Sequence, residues 1–231
     1  MSYYWLSYLI LIPGALLMFW AQSQIKGTYY RYSKVRSSMG MSGAEVAQAI
    51  LSKMGIYDVS VEPVAGELTD HYDPSAKAVR LSEGIYGSDS LAAAAVAAHE
   101  CGHVLQDKQG YKFMNLRASL VPAANLGSQL GPFLVIIGLF LSSMGTISSV
   151  FINIGIVLFL GVIAFHIVTL PVEFDASKRA LKLINQMGIL QGEENKAAKK
   201  VLQAAAWTYV ATAFYAVLQL IQLLLISRSR G

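Results

Sequence analysis

Residues 91–106 decide the fold, and they read L-A-A-A-A-V-A-A-H-E-C-G-H-V-L-Q. Alanine and leucine are the strongest helix formers, so the sequence predicts a helix across the whole stretch. His99 and His103 are four residues apart and share one face of that helix, with Cβ atoms about 5–6 Å apart. Two imidazoles at this spacing can bind one Zn²⁺, with nitrogen–zinc distances of about 2.0–2.1 Å. Glu100 lies between them, where a carboxylate reaches a metal-bound water without ligating the metal.

The H-E-x-x-H pattern predicts a hydrolase of the metalloprotease type. Zn²⁺ lowers the pKa of a bound water to about 7 and polarises the scissile carbonyl group. Glu100 would take the proton of that water and return it to the leaving amine. The alternative is an accidental match on a surface helix. The uncharged, apolar frame of the motif favours a metal site, as does the presence of only four histidines in the chain.

The composition predicts a membrane protein. Only 14% of the 231 residues are charged and 55% are hydrophobic, whereas a soluble domain has about 25% charged residues. The net charge of +4 is modest, and no basic run is interleaved with aromatic residues, so we expect no nucleic-acid partner. The single cysteine, Cys101, excludes an intramolecular disulfide, and we interpret it as a small buried residue.

Four stretches are long and apolar enough to cross the ~30 Å hydrocarbon core of a bilayer. They are residues 3–24, 116–141, 146–170 and 207–226. Aromatic residues gather at both ends of the first stretch, as is typical of membrane interfaces: Tyr3, Tyr4, Trp5, Phe19 and Trp20. No Lys or Arg precedes Lys26, so we interpret this stretch as a retained anchor and not as a cleaved signal peptide.

We therefore expect a mainly α-helical membrane protein with about four transmembrane helices and a small α+β cytoplasmic domain that carries the H-E-x-x-H helix. The predicted segments follow the apolar stretches. They are an anchor (residues 1–25), the cytoplasmic domain (26–115), a transmembrane hairpin (116–170), a cytoplasmic helical segment (171–206), and a last transmembrane helix with its tail (207–231).

The cytoplasmic domain is predicted to hold a helix and a small antiparallel sheet. Ser42 and Glu45 form a capping box, which predicts a helix to about Met54. Residues 59–64 and 78–81 are short, partly alternating runs separated by turn residues, as is typical of strands. In zinc peptidases an edge strand beside the site can hold substrate by backbone pairing. Residues 77–82 are the candidate for that strand, and the alternative is an ordinary core strand.

The distribution of basic residues predicts the orientation in the membrane. Ten Lys and Arg residues lie between residues 26 and 117 and six lie between 171 and 206. The predicted opposite side has none in the N-terminus or the hairpin turn, and two at the C-terminus, Arg228 and Arg230. The positive-inside rule therefore predicts a multi-pass protein of a bacterial-type plasma membrane. The domain that carries the H-E-x-x-H helix would lie in the cytoplasm, and both termini would lie outside.

A catalytic zinc site needs a third protein ligand. Glu173 is the main candidate. At this residue the hairpin has returned the chain to the side of the membrane where the helix with His99 and His103 lies. The alternative for Glu173 is a solvated carboxylate at a helix start. Asp70, His71 and Asp73 are further candidates in a turn-rich segment before the zinc helix. His166, seven residues before Glu173, is either a functional intramembrane residue or a structural hydrogen-bond partner.

The reaction also needs a group that stabilises the developing oxyanion. Three side chains are candidates for this role: Arg179, Tyr72 and His71. For Arg179, which follows Glu173 by six residues, the alternative is an ordinary surface salt bridge.

The motifs together resemble the bacterial family of neutral membrane zinc metallopeptidases. They are H-E-x-x-H after an alanine-rich helix, and P-x-E-F-D-A-S at residues 171–177 beyond a transmembrane hairpin. More distantly, the chain is similar to the gluzincin membrane proteases, which comprise the CAAX prenyl proteases and the bacterial heat-shock membrane protease. Their third ligand begins an E-x-x-A-D pattern. This chain has Ser177 where that aspartate would orient a zinc-bound histidine, and Asp175 or another carboxylate is an alternative for that role.

The resemblance implies a zincin-like domain and a membrane-anchored zinc endopeptidase that acts on peptides or membrane proteins. Similarity to the heat-shock protease suggests quality control of membrane proteins. Two other functions are alternatives. An intramembrane protease needs a late L-D-G-type aspartate ligand in another span, which this sequence lacks. An inactive scaffold stabilised by zinc would have a four-ligand, cysteine-rich site, and this chain has one cysteine.

Overall fold

The computed structural model describes residues 7–228 and is mostly helical. Its main elements, in chain order, are α1 (Ile12–Tyr32), α2 (Gly43–Lys53), β1 (Ser60–Val64), β2 (His71–Asp73), β3 (Ala78–Ser82), α3 (Glu83–Tyr86), α4 (Leu91–Lys108), α5 (Lys112–Phe140), α6 (Thr146–Gln186) and α7 (Gly192–Arg228). A 3₁₀ turn, Ser142–Met144, joins α5 to α6. Four residues used in the sequence analysis lie outside the described part: Tyr3, Tyr4, Trp5 and Arg230.

Four helices of the described part are long and apolar enough to cross a membrane, which confirms the predicted number. They are Ser7–Tyr32, Lys112–Phe140, Thr146–Gln186 and Gly192–Ser227. Each helix continues beyond the apolar stretch that predicted it. Residues 171–186 therefore form the end of α6, and residues 192–206 form the start of α7. A short turn separates the two helices. Gly188 in this turn and Gly192 at the start of α7 have positive φ angles.

The chain divides into two compact units, and the first consists of residues 1–21, 113–170 and 208–231. Its helices α5 and α6 pack backbone to backbone. A Cβ on Gly127 would lie 2.2 Å from the Leu158 carbonyl oxygen, and a Cβ on Gly155 would lie 2.6 Å from that of Gly131. Such packing through small residues is typical of helices in membranes. Apolar side chains form the core of this unit: Val135, Phe159, Val162, Ile163, Ala216 and Leu223.

The second unit consists of residues 22–112 and 171–207, and it contains the sheet. The strand order is β1-β3-β2, with β1 parallel and β2 antiparallel to β3. The prediction of an antiparallel sheet is therefore wrong for the β1–β3 pair. The reason is that residues 65–70 carry the chain from one edge of the sheet to the other before the tight turn at residues 74–77 leads into β3.

The prediction that residues 77–82 form a substrate-binding edge strand is also wrong. β3 has a paired strand on each side, so it is the central strand of the sheet. Val79 and Leu81 are completely buried, as expected of the alternative interpretation, a core strand. The edge strands among the described residues are β1 and β2, and β2 was missed because three residues are too few to show an alternating pattern.

Side-chain caps fix the starts of α2 and α4. The capping box predicted for α2 is present: the Glu45 backbone N–H donates to Ser42 Oγ at 3.3 Å, and the Ser42 N–H donates to the Glu45 carboxylate at 2.7 Å. Ser90 Oγ accepts from the Ala93 N–H at 3.1 Å and caps α4. Almost the whole of α4 is buried, because its alanines let neighbouring elements approach closely on every side.

Candidate metal centre

Three potential metal ligands meet in the second unit, between α4 and residues 171–186 of α6. His99 and His103 come from α4 and Glu173 comes from α6, and their ligand atoms all lie within 4.8 Å of one another. Glu173 Oε2 is 3.3 Å from His99 Nε2 and 3.6 Å from His103 Nε2. Ligand atoms of a tetrahedral zinc site at 2.0–2.1 Å from the ion lie about 3.3–3.4 Å apart. The donor types and their spacing therefore fit a zinc ion.

The candidate centre is largely closed to solvent. Glu173 is 2% exposed, Glu100 6% and His103 8%, while His99 is partly exposed. Burial raises the pKa of the Glu100 carboxyl, and the neighbouring His99 and His103 side chains oppose this shift. Burial lowers the pKa of His103, but the hydrogen bond to Glu173 and the charge of Glu100 outweigh it and raise the pKa above its usual value. Glu173 thus contacts both imidazoles within a buried site.

A glycine lets the two helices approach closely enough for this convergence. A Cβ on Gly102 would lie 2.5 Å from the Ala176 carbonyl oxygen, which is shorter than any real contact of this kind. Ala176 is completely buried at the crossing and follows Glu173 by almost one helical turn. The alanine of the E-x-x-A pattern and the glycine of H-E-C-G-H therefore form one helix contact beside the ligands.

Ser177 takes the position of the aspartate that the resemblance led us to expect. Its Oγ lies 3.2 Å from His99 Nδ1, the ring nitrogen that faces away from Glu173. Asp175, the proposed substitute, contacts Gln106 instead of a histidine: Gln106 Nε2 donates to Asp175 Oδ2 at 2.8 Å. A hydroxyl group therefore contacts His99 directly.

Gln106, which has no role predicted from the sequence, lies beside the second histidine. The Oε1 atom of this buried side chain lies 3.0 Å from His103 Nδ1, and its Nε2 donates to the Val172 carbonyl oxygen at 2.8 Å. The position of Gln106 in the sequence could have indicated its contact with His103. Gln106 lies three residues after His103, so the two side chains are neighbours on the surface of one helix, and it is an uncharged polar residue in an apolar stretch.

The other candidate ligands have different partners. Asp70 accepts hydrogen bonds from the Ser82 backbone N–H at 2.7 Å and from its hydroxyl at 3.1 Å. Asp73 accepts from Arg80 at 2.7 Å. His71 is exposed, and its Nδ1 lies 2.8 Å from the Thr69 carbonyl oxygen. Within residues 7–228, the group of side chains placed to hold a metal contains none of these three.

The candidates for oxyanion stabilisation also have partners, and their role stays a prediction. The Tyr72 hydroxyl donates to Asp107 at 2.8 Å, and burial together with this bond raises its pKa. Arg179 donates from Nε to Asp175 and from Nη1 to Gln109, and its guanidinium lies over the Tyr111 ring. His166 lies on α6 with its ring edge-to-face against Phe165, and its function likewise stays a prediction.

The fold and the site thus describe a membrane protein with a closed two-histidine, one-glutamate centre. The chain matches, over residues 7–228, the family described as "Putative neutral zinc metallopeptidase", and it belongs to that family. This confirms the resemblance found in the sequence. It is also 44% identical over 210 residues, covering 91% of each chain, to "Putative membrane protease YugP" of Bacillus subtilis (strain 168). No solved structure matches the chain.

Proposed function

We propose that the protein is a membrane-anchored, zinc-dependent endopeptidase of the gluzincin type. The observation that carries this proposal is the position of Glu173 Oε2, 3.3 Å and 3.6 Å from the Nε2 atoms of His99 and His103. Three protein ligands leave one position of a tetrahedral ion open, as catalytic zinc sites do. Membership of a family described as zinc metallopeptidases supports the same function. The substrates would be peptides or membrane proteins.

Each residue of the centre has a distinct role in this proposal. His99, His103 and Glu173 would hold the zinc, which when bound supplies Lewis acidity toward a water and the scissile carbonyl. Glu100 follows His99 directly on α4, and its buried carboxyl accepts the proton of the attacking water and delivers it to the leaving nitrogen. Closure of the site strengthens these interactions by excluding bulk water.

The two alternative functions receive less support. A scaffold with structural zinc would use four ligands, rich in cysteine, and Cys101 has its Sγ 3.7 Å from the Ala47 carbonyl oxygen, away from the ligand group. An intramembrane protease would carry its histidines on a membrane-spanning helix. Among the described residues, the four candidate spans do not include α4.

We also propose that the site faces the cytoplasm of a bacterial-type plasma membrane, with both termini outside. The sixteen Lys and Arg residues in residues 26–117 and 171–206 support this orientation through the positive-inside rule. Within the proposed endopeptidase function, removal of damaged membrane proteins is the physiological role that similarity to the heat-shock protease suggests.

The test of the endopeptidase proposal is Glu100→Gln in the full chain, purified in detergent and loaded with zinc. We expect peptide cleavage to fall by at least 10²-fold, since proton transfer by a positioned side chain contributes about 10²–10⁴-fold. The zinc content should stay at the wild-type level, because Glu100 is not a ligand. Glu83→Gln, an exposed glutamate on α3, is the matched control and should leave cleavage unchanged. Full cleavage by Glu100→Gln would contradict the proposed base.

A further inference from the structure

The amide group of Gln106 is fixed in one orientation by its surroundings. The side chain is completely buried. Its Nε2 lies 2.8 Å from the Val172 carbonyl oxygen and 2.8 Å from Asp175 Oδ2. A carbonyl oxygen and a carboxylate only accept hydrogen bonds, so the NH₂ end of the amide must face them. Oε1 is thereby turned toward His103 Nδ1, 3.0 Å away.

We infer that Gln106 is a positioning residue that fixes the tautomer and ring orientation of His103 for metal binding. An amide oxygen accepts hydrogen bonds but has no hydrogen to donate, so the facing Nδ1 of His103 must carry the hydrogen of this bond. Nε2 of the same ring then keeps its lone pair, and this is the atom that lies 3.6 Å from Glu173 Oε2. The inference rests on the proposed function, because it concerns the zinc ligands.

The partner of His99 lacks this selectivity. Ser177 Oγ, 3.2 Å from His99 Nδ1, can either donate or accept a hydrogen bond, so it is compatible with both tautomers. At His103, by contrast, the tautomer is set by a series of contacts that ends in a charged pair. Arg179 donates to Asp175, Asp175 accepts from Gln106, and Gln106 accepts from His103. Gln106 thus links α4 to α6. Its Oε1 contacts His103 on α4, and its Nε2 donates to Val172 and Asp175 on α6.

The first experiment measures zinc affinity by competition with a chelator. Gln106→Met keeps the length of the side chain but removes the hydrogen bonds, and we expect 10–100-fold weaker zinc binding, the usual effect of losing a partner of a metal-bound histidine. Val104→Ala is the matched control, because Val104 is completely buried on the same helix. It should lower the melting temperature of the zinc-free protein but leave zinc affinity unchanged. Wild-type affinity in a folded Gln106→Met protein would overturn the inference.

The second experiment reads the tautomer in the wild-type protein, and it holds even if Gln106→Met fails to fold. The chain has four histidines, so ¹⁵N-histidine labelling gives four imidazoles, and His103→Gln assigns one of them by its disappearance. We expect a proton on Nδ1 of His103, both in the zinc-loaded protein and in the zinc-free protein at a pH where the ring is neutral. A proton on Nε2 of the neutral ring would overturn the inference.

The failure of the inference can be distinguished from failure of the proposed function. A wild-type protein that binds no zinc contradicts the endopeptidase proposal, while the tautomer of the zinc-free protein still tests the role of Gln106. A wild-type protein that binds and uses zinc, beside a Gln106→Met protein of equal affinity, contradicts the role of Gln106 alone.

Discussion

Gly102 lies against the backbone of Ala176, and this contact sets the distance between the two helices of the metal centre. A Cβ on Gly102 would lie 2.5 Å from the Ala176 carbonyl oxygen and 3.1 Å from its Cα. Both neighbours are backbone atoms, which cannot rotate away as a side chain could. Glycine at position 102, directly before His103, is therefore required to bring Glu173 within reach of the histidines.

Gly102→Ala should weaken both the fold and the metal site. A methyl group forced into a closed helix contact costs about 1–3 kcal/mol of stability. The helices would separate, so we also expect weaker zinc binding, measured by chelator competition on the purified protein. Gly27→Ala is the matched control, because a Cβ on Gly27, within α1, meets no atom within 4 Å. If Gly102→Ala melts and binds zinc as the wild type does, the contact does not limit the approach of α4 to α6.

Glu173→Ala should abolish stable zinc binding. The variant removes one of three ligands and leaves two imidazoles, which hold zinc too weakly to survive dialysis. Metal analysis after dialysis should give about one zinc per chain for the wild type and close to none for the variant. Glu193→Ala provides the control, since this carboxylate is exposed at the start of α7 and pairs with Lys196. An unchanged zinc content in Glu173→Ala would remove the observation on which the proposed function depends.

Local spacing and hydropathy were enough to predict much of this protein. The shared face of His99 and His103 follows from the helical period, and the four spans follow from stretches of apolar residues. The prediction of Glu173 as the third ligand required one further inference, that a hairpin returns the chain to the same side of the membrane. The structure places these three residues together.

The parts that sequence reasoning missed depend on contacts between distant segments. The parallel pairing of β1 with β3 is set by the path of residues 65–70, which no local pattern encodes. The contact of Ser177 with His99 spans 78 positions in the chain, and that of Gln106 with Asp175 spans 69. The spacing of Gln106 and His103 on one helix is visible in the sequence, but the contacts of Gln106 with Val172 and Asp175 depend on the position of α6.

The orientation in the membrane can be tested with introduced cysteines. Cys101 itself is unsuitable, because it is completely buried and should not react in the folded protein on either side of the membrane. In a Cys101→Ala background, Tyr57→Cys would place a thiol at a position that is 82% exposed in the second unit. We expect a membrane-impermeant maleimide to label it only after the cells are permeabilised, since that unit is predicted to be cytoplasmic.

Met144→Cys in the same background is the matched control for orientation. Met144 is 55% exposed in the turn of the predicted hairpin, so a cysteine there should react in intact cells. The reverse labelling pattern at the two positions would place the candidate metal centre outside the cytoplasm and contradict the orientation derived from the basic residues.

Asp58 should make stability depend on pH in the acidic range. Hydrogen bonds from Lys108, at 2.7 Å and 2.8 Å, and from Lys77, at 2.9 Å, lower the pKa of this carboxyl from 3.8 to about 2. Because the pKa is lower in the folded protein, the stabilisation is fully present above the unfolded value of 3.8 and is lost as the pH falls toward 2. The melting temperature of wild type should therefore exceed that of Asp58→Asn at about pH 6, and the difference should shrink as the pH falls from 3.8 through about 2. A difference that stays constant over this range would show that the two lysines do not stabilise the charged carboxylate, because only the ionised form can gain from their positive charge.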